Sequence, residues 1–224
     1  MAASFTRTLC ALTKRTGSQA LKISSRNIWA QPIMAFTEAQ IIPDLVRDAP
    51  QQYAKVVYPS GREATMGNVL TPTQVKDQPT LCWQQFKEDL NALYTVLLTD
   101  PDAPSREDPK FSEWHHWLVV NVPLIGTFQD AEADLSKGDH LLEYVGSGPP
   151  EGTGLHRYVF LIFKQKAKIT DKEHIPRTSA AGRNNRSTAE LMKKFGFDKP
   201  LAGNYYQAEF DDYVPQLYKQ LGAA

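Results

Sequence analysis

From Pro43 onward the chain advances in short apolar or alternating runs cut by Gly, Pro and Asp, and that punctuation confines the body to mainly antiparallel β structure. Alternation places strands at residues 53–58, 93–99, 115–122, 158–164 and 206–210. Two segments read as helices. Residues 187–195 follow Asn and Ser capping candidates, and residues 213–221 put Val214, Leu217, Tyr218 and Leu221 on one face. Residues 124–139, with Gly126 and several acids, read as a long surface loop. At 224 residues, 42% hydrophobic, the chain can close one sizeable core, so residues 36–224 are expected to form one domain behind an extension over 1–35.

Formal charge is zero overall but unevenly placed. Residues 1–37 hold Arg7, Lys14, Arg15, Lys22 and Arg26 and no acid, which leaves the remainder with 20 basic and 25 acidic residues, near −5. A body of that sign lacks the positive field that neutralises a phosphate polymer, so nucleic acid is not expected as a principal ligand. The acid-free, Arg- and Ser-containing start, with Phe5, Leu9 and Leu12 on one helical stripe, carries the signature of a mitochondrial transit peptide. Initiation at Met34, where the body begins, would instead yield an untargeted cytoplasmic form. Of the two cysteines, Cys10 lies in the extension and Cys82 in the body, which leaves the body without an internal disulfide partner and suits a reducing compartment. No stretch approaches the roughly 18 apolar residues of a membrane-spanning helix, so membrane contact is expected to be peripheral at most.

Three motifs could carry chemistry. Asp100-Pro101-Asp102-Ala103-Pro104 follows an apolar strand, and its prolines force both carboxylates into a turn. The two can present oxygens to a common point, or they can bond the amides of their own turn. In Trp114-His115-His116-Trp117, period two puts Trp114 and His116 on one strand face and His115 and Trp117 on the other, as pocket or as core. The third motif, Gly146 to Leu155, contains four glycines and enters a strand on which His156 and Tyr158 share a face; its exposed N–H groups suit an anion. It lacks the third glycine and following helix of a dinucleotide fingerprint, the Gly-Lys-Ser/Thr of a phosphate loop and the spacing of a nucleophile elbow. Carboxylates, imidazoles, a phenol and backbone donors can recognise phosphate or a cationic headgroup, or ligate a metal, but supply no obvious nucleophile.

These segments also carry a resemblance. Asp100-Pro-Asp-Ala-Pro-Ser-Arg, Trp114-His-His, Tyr144-Val-Gly-Ser-Gly-Pro-Pro, Gly152-Thr-Gly-Leu-His-Arg-Tyr and Tyr206-Gln-Ala-Glu-Phe-Asp-Asp-Tyr-Val-Pro, with Leu70-Thr-Pro-Thr-Gln-Val before them, closely resemble the phosphatidylethanolamine-binding proteins, also called Raf kinase inhibitor proteins. The resemblance implies a large central antiparallel sheet packed on a smaller one, few helices, and a C-terminal helix near a ligand pocket. It implies a pocket of Asp100, Asp102, His116, Gly148, Pro149, His156, Tyr158 and Tyr218, a cis Ala103–Pro104 bond, no catalysis, and neither cofactor nor metal. The implied partners are phosphatidylethanolamine or another phosphorylated small ligand, and a protein kinase or serine protease. A metal-dependent hydrolase built on His116, His156 and an Asp is the competing chemistry, and the tight His spacing it needs is absent. In the phosphate-binding reading both imidazoles donate to the phosphate, so anion affinity is expected to rise as pH falls through about 6.5.

Overall fold

The computed structural model describes residues 31–86, 89–128 and 131–222, so the targeting segment expected before residue 31 lies outside the described residues. Helix α1 (Gln31–Glu38) starts ahead of the expected boundary at residue 36, and a single turn α2 (Ile41–Asp44) follows. Next come β1 (Gln52–Tyr53), β2 (Lys55–Val57), β3 (Glu63–Ala64), β4 (Thr80–Trp83), β5 (Tyr94–Asp100) and β6 (Trp114–Val122). The chain continues through β7 (Leu124–Gly126), β8 (Ala131–Ala133), β9 (Asp139–Leu142), β10 (His156–Lys164), α3 (Thr188–Phe195), β11 (Ala202–Ala208) and α4 (Val214–Gln220). Six strands form the central sheet in the order β1-β11-β10-β5-β6-β9, and five form a smaller sheet in the order β3-β2-β4-β8-β7. All pairs are antiparallel except β1 with β11. This is the mainly β, two-sheet architecture expected.

Both faces of the central sheet are covered. Val96, Leu98, Phe160, Ile162 and Tyr206 pack on Val56, Leu81 and Trp83 of the smaller sheet. On the reverse face Leu97, Val159, Leu161 and Phe163 meet Phe36, Ile41 and Leu191 from the helical segments. Every residue of β5 is therefore buried, which is why it reads as a continuous apolar run. Helix α3 is stopped at both ends by its sequence: Ser187 accepts the Glu190 N–H, and Gly196 takes the left-handed conformation at φ 69°.

The expected loop over 124–139 is instead β7, β8, a short 3-10 turn and the start of β9. Strands of three residues are too short for alternation to stand out from loop composition. Strand β11 begins four residues earlier than expected, because Ala202-Gly203-Asn204 has the composition of a turn. In the fold the Asn204 amide donates to the Ala54 and Ala64 carbonyls, and a Cβ at Gly203 would lie 2.5 Å from Pro50 Cγ. Cys82 on β4 is not a free thiol, and Cys10, the other cysteine of the sequence, lies outside the described residues. Among the described residues no helix is long and apolar enough to cross a membrane.

Candidate ligand-binding site

Because β5 runs antiparallel to both β6 and β10, its C-terminal end and their N-terminal ends meet on one rim of the central sheet. There the strands deliver Asp100, His116, His156 and Tyr158 to a cavity of about 210 Å³. The Val145–Pro150 connection and α4 close it, the latter through Leu217 and Tyr218. Apolar walls come mainly from Ala103, Phe111, Trp114, Val145, Ala180 and Leu221, and no Lys or Arg among the described residues lines it. The size suits a headgroup rather than a large cofactor, for which pockets run from roughly 300 Å³ upward.

A bulge sets the orientation of His116. Leu98 lies opposite Trp117 but Thr99 lies opposite His115, so one extra residue enters β6 at His116. Strict alternation, which would separate Trp117 from His116, is broken here. Trp117 packs in the inter-sheet core with Tyr158, and the His116 ring meets Tyr158 edge-on at 5.2 Å. His115 turns to the other side, beside Glu113 at 3.4 Å.

The His116 Nδ1 lies 3.1 Å from both the Val145 and Gly146 carbonyls. Carbonyls only accept, so Nδ1 carries the hydrogen and the neutral ring keeps a lone pair on Nε2. Burial, with the Arg183 guanidinium nearby, pushes the His116 pKa down to about 3. The expectation that His116 charges near 6.5 is corrected accordingly.

His156 is held at both nitrogens. Nδ1 lies 2.9 Å from Asp100 Oδ2, and Nε2 lies 3.0 Å from Thr153 Oγ1, whose own hydrogen goes to the Pro150 carbonyl at 2.8 Å. With the Thr153 hydrogen on the Pro150 carbonyl, Nε2 faces the Thr153 oxygen and Nδ1 faces the Asp100 carboxyl group. Burial raises the Asp100 pKa, while the His156 contact and the Asp102 N–H, bonded to Oδ1 at 2.7 Å, oppose that rise. The order Asp100, His156, Thr153 has the connectivity of a catalytic triad, yet its hydroxyl points its hydrogen at a carbonyl. Thr153 thereby positions the imidazole. His156, with both nitrogens engaged, does not offer the free donor expected of it.

Gly148 lines the cavity, its carbonyl accepts the Tyr218 hydroxyl at 3.0 Å, and its N–H lies beside the Tyr158 hydroxyl. Burial raises the pKa of Tyr158 well above the usual phenol range, so the hydroxyl keeps its proton. Two expected residues are not brought to the cavity. Pro149 does not line it, where Pro150 does. Asp102 points to the reverse face of β10, where it accepts from the Arg157 backbone N–H at 2.8 Å and from its Nε and Nη2 at 2.9 and 2.6 Å. Arg157 also donates to Asp44 and the Ala39 carbonyl, tying the N-terminal segment to the sheet.

Sequence reasoning missed two supports. Arg157 had a signal, as a lone cation entering a strand otherwise apolar through Phe163. Arg183 had none: it is fully buried and donates only to backbone carbonyls, those of Ser179, His115, His116, Glu143, Ile175 and Pro176. It thereby fixes the strand that presents His116. The Ala103–Pro104 bond is cis, as the resemblance implied. Among the described residues no group of three His, Cys, Asp or Glu side chains is arranged to hold a metal ion.

Residues 60–206 match the family described as phosphatidylethanolamine-binding protein. The chain is 36% identical over 185 residues to "Putative odorant-binding protein A5" of Drosophila melanogaster, covering 82% of this chain and 83% of that protein. Its structure is similar to that of carboxypeptidase Y inhibitor complexed with the cognate proteinase, at 26% identity and a TM-score of 0.71, over 84% of this chain and 98% of that one. The solution structure of CG7054 is similar at 45% identity and a TM-score of 0.62, over 81% and 97%.

Proposed function

Because this chain belongs to the phosphatidylethanolamine-binding protein family, we propose that it binds a phosphorylated small ligand of the phosphoethanolamine class, as a regulatory rather than catalytic protein. The observation that carries this reading is the headgroup-sized cavity that Gly148, Tyr158 and His116 line together, with no Lys or Arg lining it among the described residues. A headgroup of roughly eight heavy atoms at ~0.5 kcal/mol each gives about −4 kcal/mol, a millimolar dissociation constant. Tighter capture of a whole lipid needs contacts with the apolar walls. In a ¹H–¹⁵N NMR titration, phosphoethanolamine is expected to shift the Gly148 and Tyr158 amides, and His116→Ala to abolish the shifts. Unchanged spectra at tens of millimolar ligand reject the reading.

A second reading is an interaction protein whose pocket is a sensor or docking site for a serine protease or a kinase. The structural likeness to an inhibitor solved with its proteinase favours it. A pull-down comparing wild type with His116→Ala decides whether partner and ligand are coupled: joint loss links them, and retained partner binding separates them. For location we propose mitochondrial delivery by residues 1–35, with a cytoplasmic product from Met34 as the alternative. An import assay with and without those residues tests this.

A further inference from the structure

We propose that the free edge of β9 docks an acidic, extended peptide of a partner protein, added as a further strand beside Gly138–Leu141. The site lies at the opposite end of β6 from the rim cavity, beside Val120 rather than His116, and it is independent of the phosphorylated-ligand reading. β9 is the last strand of the central sheet. From Leu141 onward its outer side is taken. The Ile175 N–H donates to the Leu141 carbonyl at 2.8 Å, the Glu143 N–H donates to the Ile175 carbonyl at 3.0 Å, and Leu142 and Ile175 form a parallel bridge. Outside β6, no backbone group of the described residues bonds Asp139 or His140.

The covering chain leaves the sheet at this point. Ile169 is pinned to the end of β6, its N–H donating to Asn121 Oδ1 at 2.8 Å and its carbonyl accepting from Asn121 Nδ2 at 2.7 Å. Residues 170–174 then run to the second anchor at Ile175, and a cavity of about 580 Å³ separates them from β9, with Val120, Leu141 and Ile169 as its apolar lining. The His140 carbonyl takes its hydrogen bond here from His174 Nδ1 at 3.2 Å, so an exposed side chain stands where a neighbouring strand would supply an N–H. An open strand edge with room beside it for side chains is what recognition by strand addition requires. Charge then selects the peptide. Each acid lining the cavity already has a partner: Asp139 accepts from Asn121 Nδ2 at 2.7 Å, Asp171 pairs with Lys194 at 2.7 Å, and Glu173 pairs with Arg186. Lys168 and Lys172, both exposed, have no acidic partner among the described residues. Two uncompensated cations on a body whose charge is near −5 make this lane locally attractive to carboxylates. The chain's own residues 1–37 carry no acid and do not supply those carboxylates.

The probe is the capped peptide acetyl-Val-Glu-Val-Glu-Val-amide, titrated into the full chain and followed by ¹H–¹⁵N NMR at low and high salt. Amide shifts are expected at Asp139, His140 and Leu141 and over 170–174, with none at Gly148 or Tyr158. Lys168→Glu combined with Lys172→Glu is expected to weaken binding roughly tenfold at low salt, and less at high salt. Lys168→Arg with Lys172→Arg should preserve it, and both pairs should leave phosphoethanolamine binding unchanged. The same peptide N-methylated throughout keeps its carboxylates but has no N–H to give the edge, and is expected to bind about tenfold more weakly. Equal binding of the N-methylated peptide overturns the proposal, as do unchanged affinity in the Glu pair, shifts confined to the rim cavity, or no shift at millimolar peptide. Shifts at the β9 edge with phosphatidylglycerol vesicles and none with the peptide overturn it in favour of an anionic membrane surface. Phosphoethanolamine binding bears on the rim cavity alone, so the two readings fail separately.

Discussion

Asp102 and His116 illustrate how far a residue's neighbours decide its role. A single residue separates Asp100 from Asp102, yet one carboxylate faces the cavity and the other clamps Arg157 on the opposite face of β10. Asp102→Ala is therefore expected to cost roughly 3 kcal/mol of stability, as removal of one partner from a buried ion pair does, and to leave phosphoethanolamine affinity unchanged. Urea denaturation alongside the NMR titration measures both. His116 gives a pH dependence. Its pKa of about 3 lies below the roughly 6.5 of an unfolded chain, so between those values the unfolded state binds a proton that the native state refuses. Stability is then full above about 6.5 and falls with pH, by at most about 1.4 kcal/mol per unit from this ring, until about 3. His115, also held down by burial, adds to the fall. Urea midpoints at pH 7.5, 6 and 5 should decline, and His116→Gln should flatten the decline.

At the scale of elements, the Val145–Pro150 connection does two jobs with two glycines. A Cβ on Gly146 would lie 2.7 Å from the Val75 carbonyl oxygen and 3.1 Å from Lys76 Cα, backbone that has no room to retreat. On Gly148 it would meet Leu217 Cδ2 at 2.7 Å, the movable end of a side chain on α4. Gly146→Ala is expected to destabilise the fold by about 1–3 kcal/mol through overpacking. Gly148→Ala should instead displace α4, weakening ligand binding several-fold with a smaller loss of thermal stability. Calorimetric Tm values and titrations of both variants check the contrast. Helix α4 itself is anchored by Leu217, with Leu221 just beyond it, against Val145, so Tyr218 reaches the Gly148 carbonyl as a consequence of that packing.

For the whole molecule, the segment before β1 forms part of the fold. Phe36, Ile41, Leu45 and Val46 are buried on the reverse face of the central sheet, and Asp44 and the Ala39 carbonyl bind Arg157. A chain initiated at Met34 retains all of these and is expected to unfold cooperatively near the full-length Tm. One starting at Ala49 loses four buried side chains worth about 1.5–3 kcal/mol each, enough to erase the usual 5–15 kcal/mol of domain stability. Circular dichroism melts of the two truncations test this.

Fold class, the principal strands, the N-cap of α3 and six of the eight residues expected at the cavity were legible in the sequence, because periodicity, punctuation and motif are local properties of the chain. The short strands β7 and β8 and the start of β11 were not, since their identity comes from partners far away in sequence. The same holds at the site. Sequence could place imidazoles and carboxylates on one rim, but one bulge in β6, two carbonyls at His116 Nδ1 and a hydroxyl at His156 Nε2 decided which nitrogen is free. Tautomer and facing depend on contacts across dozens of residues, and only the assembled sheets bring those contacts together.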